Sequence, residues 1–227
     1  MSEVYFSLDI ETDGPIPGPN SMRSLGMVAF TPTCFNMANT FYAVLKPLPD
    51  SKVEASTLAW WMETPEKQEK WNDLQKCQEE PATVMRELDL WVRKQADYFK
   101  ASPVCVASPA GYDFVFLRWY LISLLGGGET VFKHRCLDIR SYWMSICGKE
   151  YLGSSKDSVP DRLKPVGLPH THNALEDALE QGQLIFNMMQ EADQMRRAAR
   201  SWQKLFPMAK AMNEMINLTK SWAGLAQ

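Results

Sequence analysis

The chain has 227 residues, enough for one large domain or for one domain with an extension. Its composition, 45% hydrophobic and 22% charged, is that of an ordinary soluble globular protein and excludes collagen-like, disordered and disulfide-framework classes. Because the net charge at pH 7 is −3, binding of a polyanion would have to come from a local patch or a bound cation.

The cysteines and the amino terminus predict a cellular setting. The five cysteines are odd in number and include no C-x-x-C pair, so we expect reduced thiols in a cytoplasmic protein. The first residues lack a basic segment followed by an apolar run, and no stretch approaches the ~18 apolar residues of a membrane span. We therefore expect neither secretion nor membrane insertion.

The first part of the chain predicts three antiparallel strands followed by helices. Residues 4–10, 25–31 and 40–45 are short β-rich runs separated by proline, glycine and asparagine. From Ser56 onward the apolar residues follow helical spacing, and prolines at 65 and 81 suit the first turns of helices.

The middle of the chain predicts a strand, a turn and a helix. Residues 103–107 are an apolar run that we interpret as a buried strand, and a helix is expected from about Tyr112 to Leu125. Another helix is expected over 138–147 and a long loop over 153–169. This order of elements is typical of α/β folds.

The last part of the chain predicts a helix that begins near Ala174. Asn173 is suited to cap this helix, with Glu176 following as in a capping box. Residues 191–227, rich in Met, Trp, Arg and Lys, are expected to form a helical C-terminal extension in which Pro207 marks a start or a kink. Two uses of the extension stay open: packing on its own core, or pairing with a second copy in a homodimer.

Acidic residues near two predicted strands carry candidate chemistry. Asp9 and Glu11 lie two apart on the first strand, so their side chains point to the same face, and such a pair suits a hard divalent cation. Asp113 begins the helix after the middle strand, where ligands gather in open α/β sheets. Taken alone, each pattern is better explained by an ordinary solvent-facing or helix-terminal acid.

A third group opens the last helix. If Asn173 caps it, His172 lies just outside on flexible backbone and Asp177 lies in the first turns, which fits a mobile base beside a fixed metal ligand. The other two histidines, His134 and His170, have no comparable setting in the sequence. An isolated pair with this spacing would still be expected to be an ordinary surface feature.

In combination and in this order, the three groups resemble the motifs of DEDDh-type 3′-to-5′ exonucleases of the ribonuclease T and oligoribonuclease superfamily. The resemblance rests on SLDIET at 7–12, GYDF at 111–114 and HNALEDA at 172–178, within about residues 4–190. It implies a ribonuclease H-like α/β fold in which a mixed five-stranded sheet is flanked by helices. We expect residues 1–190 to form this exonuclease domain and residues 191–227 the helical extension.

The resemblance also implies the chemistry. The enzyme would hydrolyse phosphodiester bonds at the 3′ end of single-stranded RNA or DNA by a two-metal mechanism and release nucleoside monophosphates. His172 would be the general base. The ligands of two Mg²⁺ or Mn²⁺ ions would be Asp9, Glu11, Asp113 and Asp177.

Four residues are expected to contact the terminal nucleotide. By resemblance, Ile10 and Thr12 would meet its sugar and base. Adjacent residues on a helix point about 100° apart, so one of Trp60 and Trp61 is expected in the core and the other at the surface. We expect Trp61 to stack on the base at the site, and Phe114 has an equal claim.

Two other functions stay open. One is hydrolysis of small dinucleotides or nucleotide caps with the same metals, and the other is a non-catalytic nucleic-acid-binding module. Because all five motif residues are present, the module is the weaker hypothesis. No residue in the sequence separates polymer from dinucleotide, or RNA from DNA.

Overall fold

The computed structural model describes residues 2–76 and 78–224, with side chains described as far as residue 202. Within these residues the fold is α/β, with five strands, six α-helices and three short 3₁₀ turns. The α-helices and strands are β1 (Glu3–Thr12), β2 (Met22–Thr31), β3 (Cys34–Val44), α1 (Ala55–Trp61), α2 (Pro65–Asp73), α3 (Pro81–Phe99), β4 (Ser102–Ala107), α4 (Ala110–Leu124), β5 (Cys136–Asp138), α5 (Ile139–Cys147) and α6 (Ala174–Gly224).

The strands form one mixed sheet in the order β3-β2-β1-β4-β5, which confirms the predicted fold class. The first three strands are the predicted antiparallel meander, and β4 pairs in parallel with both β1 and β5. The pattern of residues alone did not predict β5, because three residues are too few to show a period. Since β1 and β4 are parallel, both end at the same edge of the sheet, where α4 begins.

The two faces of β1 have different neighbours. On one face, four alternate residues of β1 are buried in the main apolar core: Val4, Phe6, Leu8 and Ile10. Side chains of α3 and α4 belong to the same core. The other face carries Ser7, Asp9 and Glu11, all buried. This alternation follows from the period of two in a strand, and it points the acidic pair away from the main core.

Two glycines let α6 lie close against the acidic face of the sheet. Gly26 pairs with Asp9 across β1 and β2, and a Cβ at Gly26 would lie 2.0 Å from the carbonyl oxygen of Ala174. A Cβ at Gly182 would lie 2.8 Å from Cγ1 of Val28. Because neither glycine carries a side chain, α6 can pack closely against the sheet, and its first turn lies beside Asp9.

The start of α6 was predicted correctly. Asn173 caps it, because its Oδ1 accepts the backbone N–H groups of Leu175 at 3.0 Å and Glu176 at 3.2 Å. The helix continues through residue 207, so Pro207 is not a helix start. The side chains of residues 203–227, on which the homodimer prediction depends, lie outside the described part.

The chain divides into two compact units, residues 1–188 and residues 189–227. Four of the cysteines are free in the structure, and Cys77 lies outside the described residues. No helix among the described residues is both long enough and apolar enough to cross a bilayer.

Candidate active site

Three of the predicted carboxylates meet where β1 lies beside α6. One carboxylate oxygen from each of Asp9, Glu11 and Asp177 lies within 4.8 Å of the other two. These residues are between 0% and 9% exposed. Three carboxylates so close together in a buried space repel one another unless a cation or protons offset their charge.

Asp113 approaches the same cluster from the first turn of α4, where it is 4% exposed. Its Oδ2 is buried and has no hydrogen-bond partner among the described residues. The charge of Asp113 raises the pKa of both Asp9 and Glu11. A buried carboxylate oxygen without a donor is costly, and a bound cation would satisfy it.

Burial shifts the pKa values of Asp9, Glu11 and Asp113 upward, and neighbouring carboxylates add to the shifts of Asp9 and Glu11. Burial, then the charge of Glu11, raise the pKa of Asp9 well above its usual range. Burial, then Asp177, raise the pKa of Glu11 to about 8, and burial raises that of Asp113 to about 7. Lys70 on α2 acts in the opposite direction on Glu11. The cluster therefore needs positive charge to be fully ionised near neutral pH.

These observations fit the divalent ions that the sequence predicts. All four carboxylates supply oxygen ligands, which Mg²⁺ and Mn²⁺ prefer. The partnerless oxygen of Asp113 and the raised pKa values both indicate a site built around cations.

The turn before α6 fixes Asp177. Its Oδ1 accepts the backbone N–H of Thr171 at 2.8 Å, and its Oδ2 accepts that of His172 at 3.0 Å. His172 adopts the left-handed backbone conformation with φ 57°, which a non-glycine residue rarely does. Burial lowers the pKa of the His172 imidazole, so the neutral form that a base requires is favoured.

His170 has a setting that the sequence did not predict. Its Nδ1 lies 3.1 Å from Oδ2 of Asp177, and its ring centroid is 4.6 Å from that of His172. The sequence showed no setting for His170 comparable to that of His172, whereas in the structure His170 adjoins both Asp177 and His172. The H-x-H spacing before the capping Asn173 was the available signal.

Gln181 is a further site residue that the sequence analysis missed. Its side-chain amide donates a hydrogen bond of 2.6 Å to Oδ1 of Asp9, and it is 5% exposed. This donor lowers the pKa of Asp9 and thereby favours the carboxylate. The signal in the sequence was its position four residues after Asp177, one helical turn along the same face.

A cleft of about 460 Å³ opens beside Glu11. β1, α1 and α4 all contribute to its wall, which is lined by Ile10, Glu11, Thr12, Ser56, Thr57, Trp60, Trp61 and Tyr112. The cleft thus includes Ile10 and Thr12, two of the residues expected to meet a nucleotide.

The two tryptophans divide as expected into a buried and an exposed ring, but the exposed ring is Trp60. Trp60 is 39% exposed, whereas Trp61 is 1% exposed and donates its indole N–H to the carbonyl of Thr12 at 3.2 Å. Trp61 also packs on Trp71, with 5.6 Å between ring centroids. Trp61 therefore anchors α1 to the end of β1 and has no free face for a base, contrary to the expectation.

Phe114 also lies in the core. It is 9% exposed, belongs to the main apolar cluster and packs edge-on to Phe132, with 6.5 Å between centroids. It does not line the cleft beside Glu11. On α4 the neighbour of Asp113 that does so is Tyr112, whose hydroxyl is 2.6 Å from the Thr12 hydroxyl.

Comparison with known proteins adds an independent result. Residues 4–189 match the model of the family described as the 3′-5′ exoribonuclease Rv2179c-like domain. The 3′-5′ DNA exonuclease Cap18 of Escherichia coli is 28% identical over 187 residues, covering 81% of this chain and 90% of that protein.

Solved structures share the fold. The nuclease domain of 3′hExo, a DEDDh family member bound to rAMP, superposes with a TM-score of 0.64 at 12% identity, covering 84% of this chain and 93% of that one. S. pombe Pop2p in its Mg²⁺- and Mn²⁺-bound form gives a TM-score of 0.57 at 14% identity, covering 81% and 82%.

Proposed function

The chain belongs to the family of Rv2179c-like 3′-5′ exoribonuclease domains, and from this premise we propose that it removes nucleotides one at a time from single-stranded 3′ ends. It is a DEDDh-type 3′-to-5′ exonuclease. The observation that carries the finer proposal is the buried carboxylate cluster beside a cleft of nucleotide size. We assign the activity to residues 1–190, with residues 191–227 as a helical extension.

The cleft supports an unpaired terminal nucleotide as the substrate. Its volume of about 460 Å³ lies within the usual range for small-ligand pockets, and its wall offers the exposed ring of Trp60. Stacking on an aromatic ring tolerates any base. Ile10 and Thr12 also line the cleft, and in this proposal they meet the sugar and base of the terminal nucleotide. A duplex end would have to unpair before its last nucleotide entered.

Asp9, Glu11, Asp113 and Asp177 are the residues that would hold two Mg²⁺ or Mn²⁺ ions. When bound, such a pair supplies a nucleophile at neutral pH and neutralises charge on the scissile phosphate and the leaving oxygen. The hydrogen bond from Gln181 orients the Asp9 carboxylate and acts against the burial that raises its pKa. The ions also explain how a chain of net charge −3 binds a polyanion.

His172 accepts a proton in the proposed reaction. A water oxygen attacks the phosphorus of the terminal nucleotide, the bond from phosphorus to the 3′ oxygen of the preceding nucleotide breaks, and a nucleoside monophosphate leaves. The freed 3′ oxygen takes a proton from solvent and becomes the new terminal 3′ hydroxyl. The water proton passes to the neutral imidazole of His172, which the adjacent Trp60 partly shields from solvent. Asp177 fixes the backbone of His172 for this transfer.

The test is hydrolysis of 5′-labelled single-stranded RNA and DNA of equal sequence, with Mg²⁺, with Mn²⁺ or with a chelator. We expect a metal-dependent ladder that shortens from the 3′ end and is blocked by a 3′-phosphate. Asp113→Ala should abolish the ladder. The matched control is Asp161→Ala, because Asp161 is an exposed acid on a surface turn. Comparison of the two polymers identifies the preferred sugar.

Two results would contradict the proposal. If neither polymer is shortened but a dinucleotide is cleaved, the alternative of a dinucleotide or cap hydrolase replaces it. If the ladder persists equally in Asp113→Ala, the cleavage comes from a contaminant and gives no support to this site.

A further inference from the structure

A second group of metal-ligating side chains adjoins the carboxylate cluster. A ring nitrogen from each of His170 and His172 and one oxygen of Asp177 all lie within 4.8 Å of one another. The planes of the two imidazoles meet at 79°, so the rings border one space at the start of α6 rather than stacking on each other. Asp177 is 0% exposed and forms the base of this space.

The donor set of this group differs from that of the carboxylates. Two imidazoles and one carboxylate are ligands typical of zinc sites, in which water or substrate takes the fourth position. Hard ions such as Mg²⁺ prefer oxygen ligands, whereas imidazole favours later transition metals. The two neighbouring groups therefore select different classes of cation.

The geometry allows closure around one ion. Ligand atoms about 2.0–2.2 Å from a tetrahedral zinc ion are about 3.4 Å apart, and those of this group lie within 4.8 Å of one another, so the group must contract by no more than about 1.4 Å. Nδ1 of His170 is already 3.1 Å from Oδ2 of Asp177, and the ion would take the place of the proton between them. The side chain of His170 is 49% exposed, which leaves it free to adjust.

The backbone around the group prearranges its ligands. The left-handed conformation of His172, φ 57°, turns the chain between the two histidines and the cap of α6. The N–H groups of Thr171 and His172 hold the Asp177 carboxylate in place. One ligand is thus fixed by the main chain, and the two imidazoles close on it.

We propose that His170, His172 and Asp177 bind a zinc-class transition-metal ion and that this ion inhibits the exonuclease. The binding half of the proposal is independent of the proposed function, whereas the inhibitory half rests on it. A metal on His172 occupies the lone pair that would accept the proton of water. It also takes a carboxylate oxygen of Asp177, which belongs to the carboxylate cluster as well.

The experiment titrates the full chain with zinc in excess Mg²⁺ and follows binding by calorimetry. His170→Asn should weaken zinc affinity by at least about 10- to 100-fold, since the loss of a group that only orients a metal ligand already costs that much. The matched control is His134→Asn, which removes the third histidine from an exposed position beside α4 residues Arg118 and Trp119 and should leave the affinity unchanged. Substitution of Co²⁺ should give an absorption spectrum without a thiolate charge-transfer band, since the ligands are nitrogen and oxygen.

The activity assay completes the test. At fixed Mg²⁺, zinc should inhibit the unchanged chain and His134→Asn alike. Inhibition of His170→Asn should need at least about 10- to 100-fold more zinc. If zinc affinity is equal in His170→Asn and the unchanged chain, the site is wrong. If zinc binds through His170 but no variant cleaves in Mg²⁺, the metal site stands and the proposed function fails.

Discussion

The ring of Trp60 meets the ring of His172 edge to face, with 4.9 Å between centroids and 83° between planes. Nζ of Lys67 lies 4.0 Å from the same indole and pairs with Glu63. Trp60 thus links α2, the cleft and the proposed base. An aromatic ring in this position can both stack on a base and limit the motion of His172.

Trp60→Ala should lower kcat/KM on single-stranded substrate by about 5- to 150-fold, because base stacking contributes about 1–3 kcal/mol. The loss should lie mainly in KM, with a smaller decrease in kcat from the freed His172. Trp60→Phe should restore most of the activity. Steady-state kinetics of the unchanged chain and the two variants on one labelled oligonucleotide gives kcat and KM for each.

Tyr98→Ala is the matched control for Trp60, because it removes an aromatic ring that is 77% exposed on α3. Its kinetics should be those of the unchanged chain. Equal kinetics for Trp60→Ala and Tyr98→Ala would show that Trp60 is not a stacking ring.

The pH dependence of turnover should reflect His172. Burial lowers its pKa below the ordinary value of about 6.5, so the base becomes neutral at lower pH than a free histidine. The rate should rise with pH, with a midpoint below about 6.5, and then level off. His172→Ala should lower the single-turnover rate about 100-fold or more and remove this rise. A flat profile for the unchanged chain between pH 5 and 8, with chemistry limiting, would speak against His172 as the base.

The acidic residues and their common face were predictable because the period of a strand and the order of the motifs constrain them directly. Asp9 and Glu11 needed only the twofold alternation of β1, and Asn173 marked the start of α6. Which of Trp60 and Trp61 is buried depends on how α1 packs against Thr12. The hydrogen bond between Trp61 and Thr12 joins residues that are 49 positions apart in the sequence, and no local pattern encodes it.

Gln181 and His170 were missed for a related reason. Each acts on a residue of the cluster, Asp9 or Asp177, through a hydrogen bond or ion pair formed only after α6 lies on the sheet. Gly26, which permits that approach, is an ordinary strand residue in the sequence. Its importance follows from the position of Ala174 above it.

Gln181→Met should raise the Mg²⁺ concentration needed for half-maximal activity by about 10- to 100-fold, the usual effect of removing a group that orients a metal ligand. The thioether keeps the length of the side chain but cannot donate to Asp9. High Mg²⁺ should restore the rate. Gln183→Met is the control, since Gln183 lies on the same helix and bonds to Asn187 instead. Equal Mg²⁺ requirements in the two variants would refute the role of Gln181.

Gly26→Ala should reduce both activity and stability. The new Cβ would meet the carbonyl oxygen of Ala174 at 2.0 Å and displace the start of α6, which carries Asp177. Forced overpacking of this kind lowers the free energy of unfolding by about 1–3 kcal/mol. Gly153→Ala is the control, because its Cβ would make only ordinary contact with Lys149 at 3.7 Å. Thermal unfolding and the ladder assay measure both effects, and wild-type behaviour of Gly26→Ala would show that α6 does not depend on this contact.

Asp113→Asn should separate stability from activity. Burial raises the pKa of Asp113 to about 7, above its ordinary value of 3.8 in the unfolded chain. The protonated form is therefore favoured by folding, and the metal-free protein should lose stability as pH rises from about 4 to 7. Asparagine carries no charge and can donate to the neighbouring carboxylates.

At pH 8 without metal, Asp113→Asn should be more stable than the unchanged chain by about 1–3 kcal/mol. With Mg²⁺ in the ladder assay, the variant should be inactive and the unchanged chain active. The difference should vanish below about pH 3, where the unchanged aspartate is protonated in both the folded and the unfolded state. Added Mg²⁺ should stabilise the unchanged chain more than the variant, because binding to the folded state alone shifts the unfolding equilibrium. Denaturant unfolding at both pH values, with Asp161→Asn as the exposed control, makes the comparison. Lower stability of metal-free Asp113→Asn at pH 8 would mean that repulsion in the carboxylate cluster is not what limits the folded state.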